Sequence, residues 1–276
     1  MSGNGTPNWP SFTGQAQFVG TSPSGRVSVY VDASLPQAGQ QNATDLLADA
    51  DRVIQANDQI FGTNTGSVSV IVFALGGATD GTGGADHGGC DYVTGNAIEV
   101  DASYGNSARV SALFEAELSE CNMGGNLCGV STGEALSRWC AASISNNALA
   151  DFATAPACAQ NGFPDYVDQT DPTDQNGISI GCGMAFISWL QHKGYALPAI
   201  AQGLVPLTAN GTFAQLYGNL SGNDPTTAWT SFLADVQALP GGVTTDDPFG
   251  AQPAMAIAKL QVPRGSHRLL PQWRQG

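Results

Sequence analysis

The sequence predicts an α+β protein with an N-terminal mixed β-sheet, helices packed on that sheet, and a mainly helical C-terminal half. Two patterns carry this prediction: apolar residues alternate with a period of two early in the chain, and they recur every three or four positions in later segments. No segment after residue 150 shows the alternating pattern. We therefore expect a β-rich part up to about residue 105 and helices beyond it.

The elements of the first part follow in the order β-α-β-loop-β. Residues 26–31 alternate valines with Ser and Tyr and predict a strand, and residues 43–61 carry apolar side chains at helical spacing. Residues 68–75 are typical of a buried strand, and residues 97–100 of a short further strand. The Gly-rich stretch 76–89 between them predicts a loop.

The second part is predicted to consist of helices and one acidic loop. Helices are expected at 107–121 and 132–145, joined by a Gly-rich segment. The acidic loop covers residues 165–176. Further helices are expected at 181–193, 196–204, 212–220 and 226–239.

The chain divides into three regions by composition. Residues 1–25 form a polar N-terminal segment, and residues 26–247 form one domain. Residues 248–276 form a tail without acidic residues, which contains the stretch Val262-Pro263-Arg264-Gly265-Ser266-His267. That stretch resembles a protease site and vector remnant, so we exclude the tail from the fold prediction.

The charge of the chain limits its partners. It has 276 residues, with 23 acidic and 9 basic side chains and a net charge of −14. Such a chain repels phosphate backbones and anionic lipid surfaces, so nucleic-acid and membrane partners are not expected. The longest apolar run, 68–75, is far shorter than the roughly 20 residues of a membrane helix. We expect a monomer.

Six cysteines indicate an oxidising compartment. They form no C-x-x-C pair, which argues against a zinc ribbon or a redox motif. Three disulfides are therefore predicted, and the protein is expected to be secreted or otherwise extracytoplasmic, with its signal peptide absent from this sequence. The six residues are Cys90, Cys121, Cys128, Cys140, Cys158 and Cys182.

The glutamates indicate where the chemistry lies. The chain has 18 Asp but only five Glu, and all five fall within residues 99–134. Helix propensity alone does not explain this clustering, because the predicted helix 43–61 uses four Asp and no Glu. We therefore take Glu115, Glu117, Glu120 and Glu134 as candidate site residues.

The helical wheel of 107–121 ranks these side chains. Glu117 completes the apolar ladder of the helix and should face inward, where a carboxylate must be paired, hydrogen-bonded, metal-bound or protonated. Glu120 lies three positions further on, close enough to share a ligand or a proton with Glu117. Glu115 is rotated away and is expected at the surface.

Two structural explanations compete with a functional one. Glu134 ends the sequence Ser131-Thr132-Gly133-Glu134, which matches the capping box that opens a helix. Glu117 and Glu120 could instead be a buried structural pair of carboxyls. Both explanations remain open at this point.

The segment Ala116-Glu117-Leu118-Ser119-Glu120, followed by Glu134 on a second helix, resembles the zincin metalloproteases of the gluzincin branch over about residues 26–240. In that family H-E-x-x-H supplies two zinc-binding histidines and a general base. The resemblance implies a zincin-like fold and a hydrolase, which we expect to act on a polymeric extracellular substrate, peptide or polysaccharide. Glu117 falls on the base position, Glu120 and Glu134 fall on metal-ligand positions, and Ala116 replaces the first histidine. Carboxylate ligands would suit calcium, magnesium or manganese, and zinc is the family's own ion.

Several alternatives use other residues. An inactive zincin scaffold could bind a glycan or a protein, and Glu117 with Glu134 could serve a two-carboxylate glycosidase. Two G-x-S-x-G matches at Ser131 and Ser179 suggest a serine hydrolase, but His192 is badly placed as their partner, and helix capping explains both. The loop histidine His87 is expected to be a surface residue. The loop acids, which could hold calcium, are Asp165, Asp168, Asp171 and Asp174.

Overall fold

The computed structural model describes residues 7–89, 97–145, 148–149 and 155–250. Its sheet has five strands in the order β1-β2-β3-β5-β4. The three central strands run parallel, and the two edge strands β1 and β4 are antiparallel to their neighbours. The strands are β1 (Ala16–Thr21), β2 (Val27–Asp32), β3 (Val68–Phe73), β4 (Ala85–His87) and β5 (Ala97–Asp101).

Helices fill the rest of the fold. Helix α1 ends where Gly62 adopts a left-handed φ of 65°, and α2 begins where the Asn106 side chain accepts a hydrogen bond from the Arg109 amide. The helices are α1 (Gln37–Phe61), α2 (Ser107–Asn122), α3 (Ser131–Ile144), α4 (Ala155–Gln160), α5 (Gly177–His192), α6 (Leu197–Leu204), α7 (Phe213–Ser221) and α8 (Ala228–Gln237).

The two faces of the sheet are covered differently. Helices α1 and α2 pack on one face, against alternate valines of β2 and β3. The other face is covered by the N-terminal residues Trp9 and Phe12. Glu99 of β5 holds this segment, because its carboxylate accepts hydrogen bonds from the amides of Ser11 and Phe12.

The helical half has its own core around the buried helix α5. Phe186 and Trp189 of that helix contact Phe213 of α7 and Phe232 of α8 through their rings. Helices α3, α4 and α6 also contribute to this core. None of the described helices combines the length and the apolar composition needed to cross a membrane.

The predicted α+β class is confirmed: a mixed sheet comes first and a mainly helical half follows. Each predicted strand and helix is present, with ends that differ by a few residues. Three elements were not predicted, namely β1, β4 and α4, and the first two are edge strands with weak alternation.

The prediction of three disulfides is wrong. Cys158 of α4 and Cys182 of α5 form a disulfide, and Cys128 is also disulfide-bonded. Cys121 of α2 and Cys140 of α3, however, are thiols buried in the apolar core, where cysteine acts as a small hydrophobic residue. Cys90 and the tail from residue 251 lie outside the described residues.

Candidate functional site

A cavity of about 730 Å³ lies between strand β4, helices α2 and α3, and the start of α5. It contains the three glutamates that the sequence singled out as catalytic candidates. Its lining is mainly polar and acidic. The charged side chains that line it are Asp86, His87, Glu117, Glu120, Glu134, Arg138 and Asp174.

His87 faces the two glutamates of α2. Its Nε2 atom lies 3.3 Å from Glu120 Oε2 and 3.9 Å from Glu117 Oε2. The side chain of His87 is only 9% exposed, so the expectation of a surface histidine is wrong. The reason is that β4 pairs with β5 and carries His87 over α2, where the sequence predicted only a loop.

Glu134 is joined to the same cluster from helix α3. Arg138, one turn further along α3, donates a hydrogen bond from Nε to Glu134 Oε1 over 2.6 Å. Ser137 donates to Glu120 Oε1 over 2.9 Å, and a hydrogen bond links the carboxyls of Glu120 and Glu134. Two carboxyls that share a hydrogen bond must share a proton, so they cannot both be ionised.

Burial and mutual repulsion change the protonation of this cluster. Burial and the negative charge of Glu120 raise the pKa of Glu134 to about 8, although Arg138 opposes the shift. Burial, Glu120 and Glu134 also raise the pKa of Glu117 well above its usual range. Burial lowers the pKa of His87, but the contact with Glu120 outweighs it, and the net change is upward.

The capping-box explanation of Glu134 is wrong. Helix α3 starts at Ser131 with Val130 as its N-cap and has no side-chain cap. The Ser131 hydroxyl accepts a hydrogen bond from the Asp171 amide instead, so the acidic loop packs on the start of α3. Glu134 is thereby left to turn into the cavity and pair with Arg138.

The surface position expected for Glu115 is also wrong, because its residue exposure is 0%. Helix α2 is covered on nearly all sides, so a wheel with one apolar face does not describe it. Neither carboxyl oxygen of Glu115 has a hydrogen-bond partner in the part of the chain that the structure describes. Burial raises the pKa of Glu115 well above its usual range.

The residues of the candidate serine-hydrolase and calcium sites do not come together in the structure. Ser179 is 1% exposed and donates to the carbonyl of Asn176, and His192 packs on Phe249 in a separate cavity. In the acidic loop Asp165 accepts amide hydrogens of its own turn, and Asp171 accepts from Asn176. Among the described residues, the group that could hold a metal ion is His87, Glu117 and Glu120.

Three residues of the site were not predicted from the sequence: His87 as a cavity residue, Ser137 and Arg138. The spacing of Glu134 and Arg138, four positions apart on a predicted helix, is the usual signal of an ion pair and could have found Arg138. Ser137 carries no such signal.

No family model and no curated protein sequence matches this chain. Two solved structures are similar in fold: an M1 zinc metallopeptidase from Deinococcus radiodurans, at 9% identity, and a point mutant of it, at 10% identity. Each match has a TM-score of 0.47 and covers 79% of this chain. The chain spans about half the length of those chains, since 51% of each is covered.

The zinc set of H-E-x-x-H does not fit this cavity. Ala116, at the first histidine position, has no ligand atom, and Glu120 takes the place of the second histidine. Glu134, at the position of the third ligand, is engaged by Arg138 and by Glu120.

Proposed function

We propose that this chain is a secreted hydrolase on a zincin-like scaffold, acting on a peptide or polysaccharide polymer through its cluster of glutamates. Glu117 is the general base, Glu134 the proton donor, and Glu120 the partner that shares the proton of Glu134. The observation that carries this proposal is the pairing of Glu134 with Glu120 inside an open cavity, where burial and the negative charge of Glu120 raise the pKa of Glu134 to about 8.

The proposed chemistry depends on the different roles that raised pKa values give to the carboxyls of Glu134 and Glu117. A carboxyl that keeps its proton at neutral pH can donate it to a leaving group, as in sites where two carboxyls share one proton. A carboxylate with a raised pKa is a stronger base toward water than an ordinary glutamate. Glu117 therefore accepts a proton from the attacking water once it is ionised, while Glu134 polarises the scissile bond.

The remaining features support a polymer as substrate. A cavity of this size falls within the range of about 300–1,000 Å³ typical of ligand sites, so it accommodates a few units of a chain. The acidic lining favours a neutral or cationic segment over an anionic one. The disulfide between Cys158 and Cys182 fits an extracellular location, and we propose that the protein works there as a monomer.

Hydrolysis of labelled casein and of a panel of polysaccharides tests the proposal. Glu117→Gln and Glu134→Gln should each lower kcat by roughly 10²–10⁴-fold, the usual contribution of a general acid or base. Glu115→Gln is the matched control, because it changes a buried glutamate of the same helix that does not reach the cavity, and it should keep full activity. Absence of hydrolysis by the wild-type chain, or an equal loss in the control, would contradict the proposal.

A second candidate is a binding module that has lost catalysis. The observation that favours it is Ala116, which leaves the motif of the resembled family without its first histidine. In that case Glu117→Gln should leave glycan or protein binding and the melting temperature nearly unchanged, while the wild-type chain hydrolyses nothing.

A further inference from the structure

The donor atoms of His87, Glu117 and Glu120 converge from two different elements. The histidine comes from edge strand β4, and both glutamates come from α2. One donor atom of each residue lies within 4.8 Å of the other two. The side chains are 9%, 13% and 18% exposed, so a small ion among them keeps one open side toward the cavity.

The spacing of these atoms suits a small cation. Two ligands about 2.1 Å from a tetrahedral ion stand about 3.4 Å apart. The Nε2 atom of His87 lies 3.3 Å from Glu120 Oε2 and 3.9 Å from Glu117 Oε2, on either side of that value. The donor atoms of Glu117 and Glu120 lie within 4.8 Å of each other, so rotations of these two side chains bring all three donors into ligating positions.

His87 also contributes a buried imidazole to this cluster. Buried polar groups normally have hydrogen-bond partners, and leaving one unpaired is costly. The Nδ1 atom of His87 is buried and has no partner within the described residues, while Nε2 is turned toward the glutamates. The imidazole is nine-tenths buried with Nε2 aimed into the cluster, and it adds a nitrogen donor that does not depend on the acidic side chains.

We propose that His87 Nε2, Glu117 and Glu120 bind one divalent transition-metal ion, such as Zn²⁺ or Mn²⁺, in preference to Ca²⁺ or Mg²⁺. An imidazole donor selects for the former class, since hard cations prefer oxygen ligands alone. The set differs from the pair Glu120 and Glu134 expected from the sequence, because Glu134 is engaged by Arg138. Binding through one oxygen leaves the other oxygen of Glu117 free to accept a proton from water, as the proposed function requires.

Calorimetric titration of the chelator-treated full chain tests the site with Zn²⁺, Mn²⁺, Mg²⁺ and Ca²⁺ as probes. One equivalent of Zn²⁺ should bind. His87→Gln and Glu120→Gln should each weaken binding at least about tenfold, the cost of losing even an outer partner of a metal site. His192→Gln is the matched control, because His192 lies outside this cavity, and it should bind as the wild type does.

A measurement on the wild-type protein tests the site without relying on variants that fold correctly. Addition of Zn²⁺ should shift the ring resonances of His87 in an NMR spectrum and leave those of His192 in place. Unchanged Zn²⁺ affinity in His87→Gln, tighter binding of Ca²⁺ than of Zn²⁺, or no stoichiometric binding would overturn the inference. The site lies in the cavity of the proposed hydrolase, but its failure is separable: Zn²⁺ binding without hydrolysis overturns only the proposed function, and hydrolysis with no bound metal overturns only this inference.

Discussion

Glu115 and Glu117 lie two residues apart on helix α2, and burial raises the pKa of both. Glu117 lines an open cavity with a second carboxyl and an imidazole within reach. Glu115 points to the packed side of the helix, where Arg52 and Asp58 of α1 are its charged neighbours. A raised pKa alone therefore does not identify a functional carboxyl; convergent partners and access to a cavity do.

The largest expected effect is on the pH dependence of stability, and it comes from Glu134 in the cavity. Glu134 has a folded pKa of about 8 against an ordinary value of 4.5, so the folded state holds its proton longer than the unfolded state. The free energy of unfolding should fall as pH rises between those values, by roughly 4 kcal/mol at most. Urea unfolding from pH 5 to pH 9 measures this loss.

Glu134→Gln is the variant that isolates this contribution, because the amide does not titrate. Its curve should be flatter than that of the wild type up to about pH 8. An identical slope in both proteins would show that Glu134 does not hold its proton in the fold.

A second prediction concerns a substitution that shifts the cavity helix α3 without changing a charge. A Cβ atom on Gly133 would lie 2.1 Å from the Leu127 carbonyl oxygen. Gly133→Ala should therefore push the start of α3 outward, cost about 3 kcal/mol of stability and separate Glu134 from Glu120. Thermal unfolding and the titration of Glu134 measure the two effects. Gly177→Ala is the matched control, since nothing lies within 4 Å of its added Cβ, and a similar loss there would refute the explanation.

A third prediction concerns the packed side. Glu115→Met replaces a carboxyl without hydrogen bonds by an apolar side chain of similar size. Stability at pH 8 should rise by about 2 kcal/mol, and activity and Zn²⁺ binding should stay unchanged. Chemical unfolding measures the gain. A loss of stability would mean that Arg52 compensates the buried charge of Glu115.

The smallest expected loss of stability comes from a change at the start of α2, the helix that carries both Glu115 and Glu117. Asn106 caps α2 by accepting a hydrogen bond from the Arg109 amide over 3.2 Å. Asn106→Ala should lower stability by about 1 kcal/mol, because the cap supports the whole helix and neither carboxyl in particular. A melting curve tests this, and a change in the pH dependence of stability is not expected.

The sequence predicted the regular elements well because their periodicity is local. The order β2, α1, β3, β5, α2, α3 and the helices α5 to α8 follow from apolar spacing alone, whereas β1, β4 and α4 do not. The position of Glu115 could not be predicted, because α2 is enclosed by α1, α3 and the sheet, and this enclosure depends on tertiary packing. Glu117 was placed on the inner side because it continues a ladder of residues that face the interior.

The position of His87 could not be predicted from the sequence for a different reason. Strand β4 has three residues, too few to show alternation, and it exists because β5 offers it a pairing edge. The partner of Glu120 therefore came from a segment that the sequence marks only as rich in glycine. The three glutamates were predictable because they lie on two helices with clear periodicity, and the imidazole was not because its position depends on a long-range strand pairing.

The contact of the N-terminal segment with Glu99 has a consequence for the order of folding. The amide of Ser11 bonds to a carboxylate 88 positions later in the chain. During synthesis Trp9 and Phe12 emerge early. They cannot pack on the sheet until β5 has been made and paired with β3. Contacts over such long separations slow folding, because the entropy of closing the loop is lost before the contact forms. We therefore expect this face of the sheet to be completed late, after α1 and the parallel strands have assembled.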